Sequence, residues 1–200
     1  MSNVFSKSRI EAFSDGIFAI IVTLLVLEIK VPHIGDHNSQ QELTEALTGL
    51  LPKFISWIIS FFTVAVIWVN HHKLFKQFRS PDSGLFWWNA VLLLWTSFIP
   101  FPTAVLGDYP GNFVSIVLYG MVMALMAASF TGMRYYVLRK GNLLEDDVDV
   151  KLFRAGTKAS LYFGPLFYLS GILLGLISPF LSFAVFIIIP VYFIFSETRG

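Results

Sequence analysis

The stretch RIEAFSDGIFAIIVTLLVLEI, residues 9–29, decides what kind of chain this is. A helix crossing roughly 30 Å of hydrocarbon needs about 20 mostly apolar residues, and residues 10–29 supply them. Ser8-Arg9-Ile10-Glu11 fits a capping box and predicts the helix start there. Asp15 is the only acid lying well within the span, about 10 Å above Ser8 at a rise of about 1.5 Å per residue. An ionisable group at that depth needs a partner or water. Candidate partners are Arg9, Trp68, His71, His72 and Asn89. These residues support either a satisfied structural cluster or a cation or proton site.

At about 100° per residue, Gly16, Ile20, Thr23 and Leu27 fall on one narrow stripe, with Ala12 and Ala19 beside it. Ile20 lies about 18 Å along the helix from Ser8, near mid-membrane. Such a stripe suits a helix–helix seam, in which small residues permit close approach. It equally suits the wall of a narrow apolar pore with one hydroxyl. Periodicity does not separate the two.

Outward from this helix the same composition persists. Five further stretches qualify as spans, at residues 53–75, 85–106, 112–138, 155–177 and 180–196. The expected fold is therefore all-α, a polytopic membrane protein of six helices forming one domain over residues 1–200. Pro100, Pro102, Pro165 and Pro190 are expected to kink these spans. Of the 200 residues 56% are hydrophobic and 14% charged, against roughly a quarter charged in soluble domains. Soluble globular, disordered and disulfide-built classes are thereby excluded. A formal charge of +1 leaves no basic excess for nucleic acid, and the absence of cysteine removes thiol and CxxC zinc chemistry.

Cation placement gives the orientation. With the N-terminus cytosolic, the inner loops hold Lys7, Arg9, Lys73, Lys76, Arg79, Arg134, Arg139, Lys140, Lys151, Arg154, Lys158 and Arg199, leaving only Lys30 and Lys53 outside. Twelve of the fourteen cations on one side predicts both termini in the cytosol and a multi-pass inner (plasma) membrane protein. The outer loops carry Glu28, Asp36, Glu42, Glu45 and Asp108, which read either as an entrance that concentrates cations, with Glu28 at its mouth, or as the ordinary acidity of exposed loops. Residues 41–51 read as a short amphipathic helix over the bundle. The acidic run at 145–149 reads as the cap of the fifth helix, since it lacks the glycine and terminal Glu of a calcium loop. His71-His72 lacks the spacing of a zinc peptidase, and neither a nucleophile elbow nor a phosphate loop is present. No enzyme chemistry is visible.

Arg9, Phe13, Ser14 and Asp15, running into Gly16, Ile20, Thr23, Leu24 and Leu27, resemble the signature of the transmembrane protein 175 potassium-channel family. Trp68-Val-Asn-His71-His72-Lys-Leu-Phe75 is similar to the companion motif of its bacterial members. The resemblance implies a single-repeat homotetramer in the lipid bilayer, with the first helix of each copy around a central pore. It implies Ile20 as the apolar constriction, with Thr23, Leu24 and Leu27 continuing the lining. It also implies that Arg9, Phe13, Ser14 and Asp15 bond to Trp68, His71, His72 and Asn89 as a structural network. Potassium is the implied permeant ion, with caesium or rubidium also passing and sodium less well, and no cofactor is involved. Ala19 departs from the small hydroxyl residue of animal members, which points to modest selectivity. An apolar ring works by dewetting and partial dehydration of the ion, which disfavours the more tightly hydrated sodium. A secondary transporter coupled through Asp15 and His72, or a scaffold without transport, are the competing readings. Transporters usually carry paired repeats and helices broken at the midplane, and neither is seen here.

Overall fold

The computed structural model describes residues 6–197, so Arg199 lies outside the described residues. In chain order the helices are α1 (Lys7–Val26), α2 (Gln40–Gly49), α3 (Leu51–Lys76), α4 (Ser83–Ser97), α5 (Pro100–Asp108), α6 (Phe113–Lys140), α7 (Val150–Leu161), α8 (Phe167–Leu174) and α9 (Pro179–Glu197). A π-helical turn, Tyr162–Leu166, joins α7 to α8. The described residues contain no β-strand, only one isolated bridge between Phe78 and Leu144.

Three segments are long and apolar enough to cross a membrane on length and composition: Leu51–Lys76, Ser83–Asp108 and Phe113–Lys140. The sequence reading gave six. The other three fall short for identifiable reasons. α1 carries Lys7, Arg9, Glu11 and Asp15 in its first three turns and ends at Val26 rather than Ile29. The α7–α8 segment is interrupted at Gly164-Pro165, where Gly164 leaves helical geometry (φ −104°, ψ −105°). In α9 the apolar part, Pro179–Phe195, is shorter than the length required.

Helix ends follow local chemistry, with one correction. Ser6, not Ser8, is the N-cap of α1, and it makes no side-chain capping bond, so the capping box at residues 8–11 is not formed. The helix simply starts two residues earlier. Asp149 caps α7 by accepting from the Lys151 and Leu152 amides, the role expected of the acidic run. The amphipathic outer helix is present as α2, capped by Ser39. Pro100 opens α5 after a short break from α4, whereas Pro190 sits inside α9 without ending it.

The core is a continuous apolar cluster centred on α6, which packs against α4, α5, α7, α8 and α9. Two glycines let these neighbours approach. A Cβ on Gly132 would collide with the Trp88 ring of α4, and one on Gly120 would sit 2.5 Å from Ile172 of α8. At the end bearing Lys76 and Lys140, the loops that follow α3 and α6 clasp each other. Arg79 N–H donates to Leu143 C=O (2.9 Å) and Glu145 N–H to Gln77 C=O (3.0 Å). Arg79 bridges to Asp146 and Glu145. The hydrogen bond and charge of Asp146 hold its guanidinium pKa above the usual value.

Candidate functional site

α1 presents two chemically different sides. Ile10, Ser14, Phe18, Ile21 and Leu25 are buried against α3 and α4. On the wheel, the stripe through Gly16, Ile20, Thr23 and Leu27 lies about 150° away from that side. All four of these residues are exposed in the single chain, with Ile20 58% and Leu27 64% accessible. Phe13 and Leu24 are exposed as well. Thr23 Oγ1 donates to Ile20 C=O (2.7 Å), so the hydroxyl proton is committed and its oxygen lone pairs remain.

The buried side holds a directed hydrogen-bond chain. Asn89 Nδ2 donates to Ser14 Oγ (2.9 Å), and Ser14 Oγ donates to Ile10 C=O (2.8 Å). Asn89 Oδ1 then accepts from His71 Nε2 (2.8 Å), which places the imidazole proton on Nε2. Ser14, His71 and Asn89 are all essentially inaccessible. Phe18 meets the His71 ring edge-on (5.5 Å) and Phe75 stacks on it (4.3 Å). One chain thus ties α1, α3 and α4 with every named polar atom partnered.

Asp15 lies at the margin of this cluster. Its Oδ1 accepts from Trp68 Nε1 (2.9 Å), and Trp68 stacks on His72 (6.3 Å). Both Asp15 and Arg9 are exposed, and no bond joins them among the described residues. Six positions apart on a helix, they point about 120° from each other, and Arg9 shares the stripe of Ile20 instead. The structure therefore brings together Ser14, Asp15, Trp68, His71, His72 and Asn89, and leaves Arg9 and Phe13 on the uncovered side. Sequence reading made Asp15 the centre of the cluster; the geometry makes it Asn89, whose amide donates to Ser14 of α1 on one side and accepts from His71 of α3 on the other. Its polarity inside an apolar span was the available signal.

Glu28 lies beyond the end of α1, beside a narrow crevice lined also by Lys53, Trp57 and Thr103. Lys53 pairs with Asp108 at 2.5 Å, so the outer end of α3 is tied to α5. No cluster of three or more His, Cys, Asp or Glu side chains placed for a metal occurs among the described residues.

Residues 9–100 match the model of the family described as endosomal/lysosomal potassium channel TMEM175. A potassium channel of Chamaesiphon minutus is 38% identical over 190 residues, covering 92% of this chain and 92% of its own. A potassium channel of Streptomyces collinus is 33% identical, covering 96% of this chain and 93% of its own. The crystal structure of a lysosomal potassium-selective channel TMEM175 homolog from Chamaesiphon minutus superposes with a TM-score of 0.82 at 36% identity, over 95% of this chain and 97% of that one.

Proposed function

The chain belongs to the TMEM175 potassium-channel family, and on that premise we propose that it is a potassium-permeable cation channel, conducting passively through a homotetrameric pore lined by α1. It is a membrane protein of the channel class. The observation that carries the pore reading is the uncovered stripe of α1. A membrane chain that buries Ile10, Ser14, Phe18, Ile21 and Leu25 inside its own bundle leaves Gly16, Ile20, Thr23 and Leu27 for something else. Several copies around one axis would point these stripes at each other. Ile20 would then form the narrowest ring, with Thr23, Leu24 and Leu27 toward Glu28 at the outer mouth.

The arrangement takes six crossings, three of them by the segments long and apolar enough on their own and three by shorter or interrupted ones. α1 and α9, at 20 and 19 residues, each span about 30 Å, and the segments 83–108 and 150–174 are longer. The charges of α1 are confined to its inner turns, where headgroups and water reach them. Both termini lie in the cytosol on the lysine and arginine count, in the plasma membrane of a single-repeat bacterial form. The cluster of Ser14, Asp15, Trp68, His71, His72 and Asn89 holds α1 upright, and Arg9 and Phe13 face the inner entrance.

An apolar ring offers no fixed carbonyl cage to replace lost hydration. Selectivity for potassium over sodium is therefore modest and rests on the lower dehydration cost of the larger ion. Purified protein in potassium-loaded liposomes tests the reading, with valinomycin as the control for trapped volume. Potassium efflux that stays ohmic without a second substrate supports the channel. Saturating low-turnover flux would make it a transporter, and no flux above protein-free liposomes would make it a scaffold.

A further inference from the structure

Between α3, α6, α7 and α9 lies a cavity of about 270 Å³, walled mainly by Val66, Ile67, Met126, Ala127, Phe130 and Ile189. Two polar groups on its wall lack what they need. One is Tyr168, 2% exposed, whose hydroxyl has no hydrogen-bond partner. The other is Arg134, whose guanidinium lies directly over Gly156, where a Cβ would sit 2.8 Å from Nη2. Arg134 Nε donates to Thr157 Oγ1 (3.2 Å) and Nη2 to Phe153 C=O (3.1 Å), and the group stacks on the Phe153 ring (4.3 Å). An arginine has five N–H donors, so three remain. No carboxylate pairs with it among the described residues, although a half-buried cation in a span calls for an anion.

We propose that this cavity holds one acyl chain of an anionic phospholipid, with the lipid phosphate on Arg134. The depth fits, given the orientation proposed above, on which this inference rests. α6 runs from residue 113 to 140, so its midpoint falls at Met126–Ala127, the level of the cavity's deep end. From there to Arg134 is eight residues, about 12 Å. An inner-leaflet chain runs about 15 Å from midplane to the edge of the hydrocarbon. The phosphate of such a lipid therefore arrives at the guanidinium, whose planar donors suit it bidentately. At about 270 Å³ the cavity lies below the usual range of about 300–1,000 Å³ for drug-sized ligands, so it takes part of one chain and nothing bulkier. The π-turn forms part of the cavity wall through Phe163 and Gly164, where a Cβ on Gly164 would come within 3.1 Å of Ala127. Charge selects the headgroup. Arg139, Arg154 and Lys158 line one surface hollow with Thr157, the residue that Arg134 bonds, whereas Lys140 is committed to Asp82; these three cations favour a net-negative lipid over a zwitterionic one.

The experiment is native mass spectrometry of the delipidated assembly, titrated with palmitoyl-oleoyl phosphatidylglycerol or phosphatidylcholine. The wild type is expected to bind phosphatidylglycerol at least about tenfold more tightly, the range of a hydrogen-bonded charge contact. Arg134→Gln removes that preference. Ala159→Phe, which fills the cavity and leaves every cation in place, lowers phosphatidylglycerol binding by a similar factor. Equal binding of the two lipids, or wild-type binding by Ala159→Phe, overturns the proposal and leaves the cavity to water. If the variants do not assemble, crystals of wild type with a chain-brominated phosphatidylglycerol decide: bromine density near Ala127 supports the site, and its absence there refutes it. None of these readouts involves ion flux, so failure here and failure of the channel reading are distinguishable.

Discussion

The two sides of α1 make opposite demands on the rest of the molecule. On one side, Ser14 finds Asn89, Asn89 finds His71, and Phe18 finds His71 and its neighbours. Everything that side requires is supplied by α3 and α4 of the same chain. On the other, Ile20, Thr23 and Leu27 touch nothing that the chain itself provides for a membrane interior. The first side fixes the position of the helix; the second is free to serve another copy or a conducting path. On the proposed pore reading, stability and conduction fall to different sides of one helix, so substitutions on the two sides should read out differently.

The largest effect belongs to Asn89→Leu. It strips the acceptor from His71 Nε2–H and the donor from Ser14 Oγ inside an apolar bundle. Each abandoned polar group costs about 1–3 kcal/mol, so a loss of roughly 2–6 kcal/mol is expected. Thermal unfolding in mild detergent measures it. Ser14→Ala combined with Asn89→Leu should fall short of the sum of the single losses, because both remove one shared bond. A melting point within error of wild type for Asn89→Leu would mean that apolar packing alone orients α1, and the contrast between its sides would collapse.

A smaller effect is expected at the start of α4, the helix that carries Asn89. Asp82 caps it by accepting from the Leu85 amide (2.8 Å), and also accepts from the Tyr136 hydroxyl (2.8 Å) with Lys140 at 3.5 Å. Burial alone would raise this carboxyl. The amide, the tyrosine and the lysine outweigh it and hold the pKa below the usual carboxylate range. A depressed folded-state pKa contributes stability that is fully present above the unfolded value of about 3.9 and is lost as pH falls through the lower folded value. Wild type should therefore lose stability across that acid window, and Asp82→Asn should flatten the loss there. At neutral pH the substitution should cost about 1 kcal/mol or less, as expected for a partly exposed cap. An unchanged acid profile would place the anchoring of α4 in its apolar contacts instead.

These particulars show what sequence can and cannot carry. The spacing of Gly16, Ile20, Thr23 and Leu27 identified a stripe, because helical periodicity is local. It left seam and pore undivided, since which side of α1 is covered depends on where α3 and α4 dock. His71 and Asn89 stood out as polar residues in apolar spans, but a list of candidates holds no pairings, so Asp15 was given the role that Asn89 fills. Arg9 and Asp15 looked like a pair by charge, and helix geometry separates them. The clasp of residues 77–79 on 143–145 joins segments more than sixty positions apart and leaves no local mark. Arg134 counted as one more inner cation, because nothing in its neighbours tells of Thr157 and Phe153 across the α6–α7 contact.

The smallest expected effect on stability is also the sharpest test of the contrast. Ile20→Asn changes an exposed side chain that takes part in no hydrogen bond of its own and in no core contact of the chain. Surface substitutions of this kind usually move stability by no more than about 0.5 kcal/mol, so its melting point should match wild type. In a ring of four, the same amide lowers the cost of wetting the constriction and offers an ion oxygen ligands for the water it sheds. Potassium current per folded assembly should rise and the potassium-over-sodium ratio should fall, read as the reversal potential in bi-ionic solutions. The pair of results matters more than either alone. A normal melting point with altered permeation locates the conducting surface on this stripe. A lowered melting point with unchanged permeation would turn the stripe into a packing seam between copies, and Thr23 and Leu27 would then have to be assigned to that seam as well.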